Sequence, residues 1–339
     1  MKVENKENMK TTVVKSLLSM AVVLMTGHNT MAQQTETQSS KGKVVIETFT
    51  HFGASLPEKG AMGAEFNLER AYLGYEYQMN DNWSAKVVYD MGKGDDTKLQ
   101  RSGYVKNAFV SYHKGALRLN AGLTGTKAFN EQEKQWSYRY VYKNIMDDRK
   151  WASSADLGLV AELKATDWMN VDLSMMNGEG YKMVQLDNQF QYGLGLTFKP
   201  VKGLQLRVYM DAKTAMDTAT QKSLAFSGGY KSDIISFGAE YNMMWNQGDS
   251  EGHNLNAFSV YATGHLNKAI DIFARYDNGS SASDANDGWR YGHNGQTTIL
   301  GMQWKINKMV CLAPNFRATF DDNENITTAY AFLSMKVKL

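Results

Sequence analysis

The chain has 339 residues, with three prolines, 29 glycines, 12% aromatics and one cysteine. That length fits one large domain or two medium ones, and a single thiol excludes an internal disulfide and any thiol-based zinc or redox motif. Residues 1–32 hold four of the 37 basic and two of the 35 acidic residues, so the remainder balances at 33 of each. That balance, with no basic block interleaved with aromatics, gives nucleic-acid binding no support.

The first segment is read as an address. A basic stretch ends at Lys15, an apolar run follows from Leu17 to Met25, and Thr30-Met31-Ala32 sets small residues at the −3 and −1 positions of a cut before Gln33. This is the three-part pattern of a secretory signal peptide over residues 1–32. The apolar run is too short to span a bilayer, which needs ~20 residues. Residues 33–42 are polar and read as a short disordered lead-in.

From Lys43 to Leu339 one device repeats: about ten residues alternate apolar with polar or small, and turn residues follow. Leu204, Leu206, Val208 and Met210 alternate with Gln205, Arg207, Tyr209 and Asp211. Side chains along a strand point to opposite faces, so each segment has one apolar and one polar face. Sixteen such segments begin near residues 43, 65, 83, 104, 116, 154, 168, 188, 203, 222, 234, 254, 270, 295, 308 and 326.

Their connections alternate in length. Short ones include Asn80-Asp81-Asn82, Lys114-Gly115 and Asn267-Lys268; long ones lie around 54–64, 93–103, 125–153, 178–187, 214–221, 246–253 and 280–294. Tight turns at one rim and long loops at the other are the mark of transmembrane antiparallel barrels, which have even strand numbers. The expected fold is therefore all-β, a 16-stranded transmembrane barrel over 43–339. Both termini fall on the short-turn side, which is periplasmic in such barrels. Tyr75, Tyr77, Trp83, Tyr89, Tyr112, Phe198, Trp245 and Trp304 stand near segment ends, where interfacial girdles sit.

Residues 66–90, with an arginine-led strand, the Asn80-Asp81-Asn82 turn and a strand ending in Tyr89-Asp90, resemble the early hairpin of the phosphate-selective porin O and P family. Val105–Tyr112 resembles its next strand. Ala155–Leu159 followed by Met176-Asn177-Gly178-Glu179-Gly180 resembles the hairpin after its long loop. The resemblance covers residues 66–180 and is architectural beyond them. It implies a trimeric porin in the Gram-negative outer membrane, in contact with lipid and lipopolysaccharide, passing small solutes or anions, with no cofactor. The chain departs from the family at Gly125-Thr126-Lys127-Ala128-Phe129 and in ending on Leu339.

Strand alternation sets Arg70, Lys86, Arg118, Arg207, Arg275 and Arg317 on the lumen face with Glu76, Asp90, Asp156, Glu162, Asp172, Asp211 and Glu240. A lumen of mixed sign suits a general pore with a mild anion preference. The longest loop, 125–153, joins strands five and six and carries Lys127, Lys134, Arg139, Arg149 and Lys150 as constriction candidates. Lys and Arg there favour anions.

Other chemistry finds no pattern. The six histidines have no metal-ligand spacing, and no nucleophile motif surrounds Ser259 or His265, so neither an enzyme nor a metal site is expected. The Asp-rich loop segments lack the twelve-residue calcium-loop pattern. The alternative function is a non-conducting barrel serving adhesion or envelope structure through its long loops.

Overall fold

The computed structural model describes residues 41–57, 61–92, 101–213, 219–285 and 287–339. The proposed signal peptide, and the lead-in as far as Ser40, lie outside them.

Sixteen strands form one closed antiparallel sheet in which every strand pairs with its sequence neighbours and β16 closes on β1. In chain order they are β1 (Gly42–Pro57), β2 (Gly63–Gln78), β3 (Trp83–Gly92), β4 (Ser102–Lys114), β5 (Leu117–Gly125), β6 (Ala155–Lys164), β7 (Met169–Met176) and β8 (Gln191–Phe198), followed by β9 (Leu204–Lys213), β10 (Lys222–Lys231), β11 (Ile235–Trp245), β12 (His253–His265), β13 (Ile270–Ser283), β14 (Gly295–Lys305), β15 (Val310–Asp321) and β16 (Ile326–Lys338). Strand β1 starts one residue inside the expected lead-in. Strands β1 and β2 also reach further than the alternation suggested, so the expected connection 54–64 shrinks to residues 58–62.

Closure removes the exposed strand edges that would otherwise template aggregation. It runs from Glu47↔Lys338 to Pro57↔Thr328, using nearly all of β16 and the second two-thirds of β1.

Alternation governs what each face meets. On β9, Leu206 and Met210 are each 45% exposed outward, whereas Arg207, Tyr209 and Asp211 are buried inward. The outer face is an apolar band edged by aromatic pairs. At the short-turn rim Trp83 lies 4.8 Å from Tyr112, and Trp168 stacks on Phe198 at 6.1 Å. Tyr89 and Trp245 stand exposed toward the other rim. A barrel with this band and these girdles is built to sit across a bilayer.

Three of the short turns share one local solution. The side-chain oxygens of Asn80, Asn267 and Asn307 each accept two backbone N–H bonds from residues two and three ahead, at 2.8–3.0 Å. Asn in this position imitates a backbone turn, which is why it recurs there.

Pro57 ends β1, and Pro314 is the one proline in a strand interior. Proline has no N–H for the ladder, and the β14–β15 pairing breaks beside it, jumping from Gly301↔Asn315 to Trp304↔Leu312.

Candidate functional site

The connection between β5 and β6 turns inward. It carries two short helices, α1 (Asn130–Trp136) and α2 (Ile145–Asp148), and buries a row of its own side chains against the inner wall of β11–β15. Trp136 is 2% exposed and packs edge-on to Phe273 at 5.7 Å and beside Tyr261 at 5.4 Å. Its indole N–H donates to the Tyr142 carbonyl at 2.9 Å.

Polar anchors follow along the loop. Tyr140 donates to Gln303 at 2.8 Å, and Asn144 donates to Glu240 at 2.8 Å while capping α2 through Met146 N–H at 2.9 Å. Arg149 donates to the carbonyls of His293 and Gly295 at 2.8 and 3.1 Å. Tyr142 sits between two guanidinium groups, with Arg275 5.4 Å and Arg317 4.9 Å from its ring. Burial pushes the Tyr138, Tyr140 and Tyr142 hydroxyls above their ordinary range, so all three stay neutral donors.

The start of the loop is fixed by an ion pair on the wall. Arg207 binds Asp172 at 2.6 and 2.9 Å and Thr197 at 2.7 Å, and donates to the Lys127 carbonyl at 3.0 Å. Gly195 makes room for this pair. A Cβ there would meet the Arg207 and Asp172 side chains at 2.3 and 2.4 Å, well inside contact distance. The glycine on the lumen face of β8 is thus a packing requirement.

The free edge of the loop faces a charged wall built on β2–β5. Arg70 and Tyr181 both donate to one oxygen of the fully buried Asp90, at 2.8 and 2.7 Å. Lys106 donates to Tyr72 at 3.2 Å and lies 4.0 Å from the same carboxylate. Lys86 pairs with Glu76 at 3.3 Å. On the loop side Arg139 bridges Glu133 at 3.0 Å, Glu69 at 3.5 Å and Asp147 at 3.6 Å. Burial opposes charge on Arg139, but Tyr72 and these three carboxylates hold its proton more firmly than usual. Burial likewise raises Glu133.

Two β-bulges shape this wall. Pairing slips between Phe49↔Arg70 and Thr50↔Leu68, leaving Glu69 as an extra residue; it slips again between Val88↔Asn107 and Tyr89↔Val105, leaving Lys106 extra. A bulge breaks the two-residue period and re-aims one side chain. Glu69 and Lys106 therefore enter the lumen next to Arg70 and Tyr72, at positions where unbroken alternation would turn them outward.

Cavities lie on both sides of the inward loop. One of about 890 Å³ opens toward the long loops and is lined by Arg70, Ser174, Tyr181 and Tyr209 among others. The other, of about 610 Å³, opens toward the short turns and is lined by Arg118, Lys127, Asp172 and Arg207 among others. Thr126 and Ala128 border the first and Lys127 the second. The two are one pleat apart on β7 (Ser174 against Asp172) and on β9 (Tyr209 against Arg207), about 7 Å at the usual strand rise. Burial, against the pull of Asp172, lowers the Lys127 ammonium to about 8, and its side chain pairs with Glu162.

The expected site residues divide by environment. Arg70, Lys86, Arg118, Glu76 and Asp90 all belong to the β2–β5 wall. Arg207, Arg275 and Arg317 point inward but are covered. Arg275 is 2% exposed and forms a two-toothed pair with Asp277 at 2.7 and 2.8 Å, while Arg317 donates to the Val141 carbonyl of the loop. Of the loop candidates, Arg139 stands at its free edge, whereas Lys127 and Lys134 border the short-turn cavity. Arg149 is instead a buried anchor, and Lys150 borders the long-loop cavity. Charge counting ranked these residues alike because it had no means of telling which side of the loop would dock. Tyr181 was also missed; it reaches the β2–β3 wall from the β7–β8 connection, and no local pattern marks it.

No protein-family model and no curated protein matches the chain. Solved structures do match in fold. The anion-selective porin from Comamonas acidovorans is 10% identical, covers 88% of this chain and 99% of its own, and superposes with a TM-score of 0.67. The outer membrane channel DcaP of Acinetobacter baumannii is 12% identical, with coverages of 90% and 99% and a TM-score of 0.64. The trimer form of OmpT, an outer membrane protein of Vibrio cholerae, is 12% identical, with coverages of 88% and 100% and a TM-score of 0.59. The chain thus shares its closed 16-strand barrel with outer-membrane proteins.

Proposed function

We propose that the chain is a porin of a Gram-negative outer membrane, exported by the signal peptide at residues 1–32, and that it lets small hydrophilic solutes and ions diffuse passively. The observation that carries this reading is the inward loop, which leaves charged cavities of about 890 and 610 Å³ on its two sides. Barrels of 16 strands are wide enough for an aqueous channel, and a loop docked on one wall narrows such a channel without filling it. In this orientation the short turns are periplasmic and the long loops face outward, toward lipopolysaccharide.

A mild anion preference fits the basic residues on the β2–β5 wall and at the loop edge. A homotrimer fits the fold shared with a trimeric outer-membrane protein. The resemblance of residues 66–180 to the phosphate-selective porin O and P family makes inorganic phosphate one anion to test.

Reconstitution into planar bilayers tests the proposal. Stepwise single-channel currents are expected, with a reversal potential on the anion side under a potassium chloride gradient. A folded barrel that passes no current would refute the porin reading and favour an adhesive or structural barrel. A reversal potential on the cation side would refute the anion preference alone.

A further inference from the structure

Three side chains on neighbouring strands at the short-turn rim form one hydrogen-bonded chain. The Ser236 hydroxyl lies 2.9 Å from Nε2 of His265, and Nδ1 of the same ring lies 2.8 Å from Oδ1 of Asp271. Asp271 is 2% exposed, and its other oxygen accepts from the Gln303 amide at 2.8 Å and faces the Lys305 ammonium at 2.9 Å. These partners keep the carboxylate from turning away from the imidazole. With Nδ1–H donating to Asp271, Nε2 carries a lone pair, so the proton in its contact with Ser236 is the hydroxyl's own.

Strand register makes the meeting. Ser236 stands near the start of β11, across the ladder from Thr263, and His265 follows two residues later on the same face of β12. Asp271, near the start of β13, pairs directly with His265. No motif near residue 236 announces residues 265 and 271. On its other side Ser236 stands across from Lys231, which lines the vestibule on the short-turn side of the inward loop. The Lys231 ammonium donates to the Lys134 carbonyl at 2.6 Å and the Ser137 hydroxyl at 2.7 Å. Both acceptors are neutral, so they leave its charge available to an oxyanion formed beside it. Ser236 and His265 are each half-buried, open to a solute on the lumen side.

We propose that Ser236, His265 and Asp271 form a hydrolytic site for small water-soluble carboxylic esters that enter the vestibule from the short-turn mouth. The assignment goes beyond the porin reading and needs the folded barrel, not a current through it. Such a triad is recognised by geometry and roles rather than by chain position. The Ser236 oxygen adds to the ester carbonyl carbon while His265 Nε2 takes its proton, and the carbonyl π pair moves onto oxygen as an oxyanion beside Lys231. Collapse breaks the bond to the alcohol, which leaves with the proton from His265, and the acyl group stays on Ser236. Water then gives a proton to His265 as its oxygen adds to the acyl carbon. The second collapse releases the carboxylic acid and returns the proton to Ser236. Asp271 touches no substrate; it is a positioning residue that fixes the ring and stabilises the imidazolium.

The test uses the folded barrel in detergent and an alkyl fluorophosphonate, which loses fluoride to an activated serine and leaves a phosphonyl group of known mass. Peptide mapping is expected to find that mass on Ser236. His265→Gln should slow the labelling by at least about a hundredfold, the usual contribution of a general base. Asp271→Asn should slow it comparably, and Asp271→Glu should recover part of the loss. The parent barrel should also hydrolyse p-nitrophenyl acetate, and Ser236→Ala should fall to the rate in buffer. A folded parent barrel left unlabelled at Ser236 would overturn the assignment. So would labelling at the parent's rate in folded His265→Gln, or ester turnover that survives Ser236→Ala. The parent measurement needs no variant to fold, and it is independent of whether the barrel conducts.

Discussion

Trp136 is the side chain on which the docking of the inward loop most depends. It is 2% exposed, packed among the rings of Tyr138, Tyr261 and Phe273, covered by the Arg275 guanidinium at 5.0 Å, and hydrogen-bonded to the Tyr142 carbonyl. Truncating a buried Trp to Ala costs about 3–5 kcal/mol, and the stranded Tyr142 carbonyl adds about 1 kcal/mol or more. At about 1.4 kcal/mol per factor of ten, Trp136→Ala lowers the ratio of docked to undocked loop by at least two orders of magnitude. Trp136 lies outside all sixteen ladders, so the barrel is expected to fold and the whole loss to fall on the loop. Single-channel recording should show a larger and noisier conductance than the parent. Limited trypsinolysis of the folded variant should cut at Arg139, whose side chain is 16% exposed in the docked loop. A folded Trp136→Ala barrel with the parent's conductance, quiet baseline and resistance to trypsin would refute the reasoning.

Arg139→Gln leaves Glu69, Glu133 and Asp147 facing one another without their shared cation, so the chloride-to-potassium permeability ratio should fall by about twofold or more; an unchanged reversal potential would show that these carboxylates do not reach the ion path. The lowered ammonium of Lys127 predicts a pH dependence. As pH rises through about 8 the vestibule loses one positive charge, so anion preference should decline between pH 7 and 9, and Lys127→Met should remove that step. The stability linkage has the corresponding sign. The folded barrel holds this proton less tightly than an unfolded chain with the ordinary value of 10.5, so the residue's destabilisation is full below pH 8 and relieved as pH rises toward 10.5. Urea titrations of the parent and of Lys127→Met at pH 7 and 10.5 should differ accordingly, and equal differences at the two pH values would refute the assignment.

The barrel was legible in the sequence because its rules are local and periodic. Two-residue alternation on a segment such as Leu204–Asp211 states which side meets lipid, and the recurrence of Asn80, Asn267 and Asn307 marks turns that each close on their own side chain. The lumen was less legible, for two physical reasons. The first is that a bulge shifts the period by one residue. Arg70 could be assigned inward from its own strand, but Glu69 and Lys106 enter only because β1–β2 and β3–β4 slip in register, and a slip is decided between strands.

The second reason is that docking of a loop depends on partners far away in sequence. Trp136, Tyr140 and Asn144 meet Phe273, Gln303 and Glu240, and nothing near residue 136 announces residue 273. This also explains why counting charges along the chain does not separate buried basic residues from exposed ones. Arg149 and Arg275 spend their charge on carbonyls and on Asp277, whereas Lys199, an unremarkable residue before a short turn, keeps its charge free of any carboxylate among the described residues. The formal charge balance of residues 33–339 therefore does not carry over to the lumen. Pairing takes up the three carboxylates that line the short-turn cavity, Glu162, Glu131 and Asp172, and among the described residues leaves Arg118, Lys199 and Lys231 without a carboxylate within 4 Å.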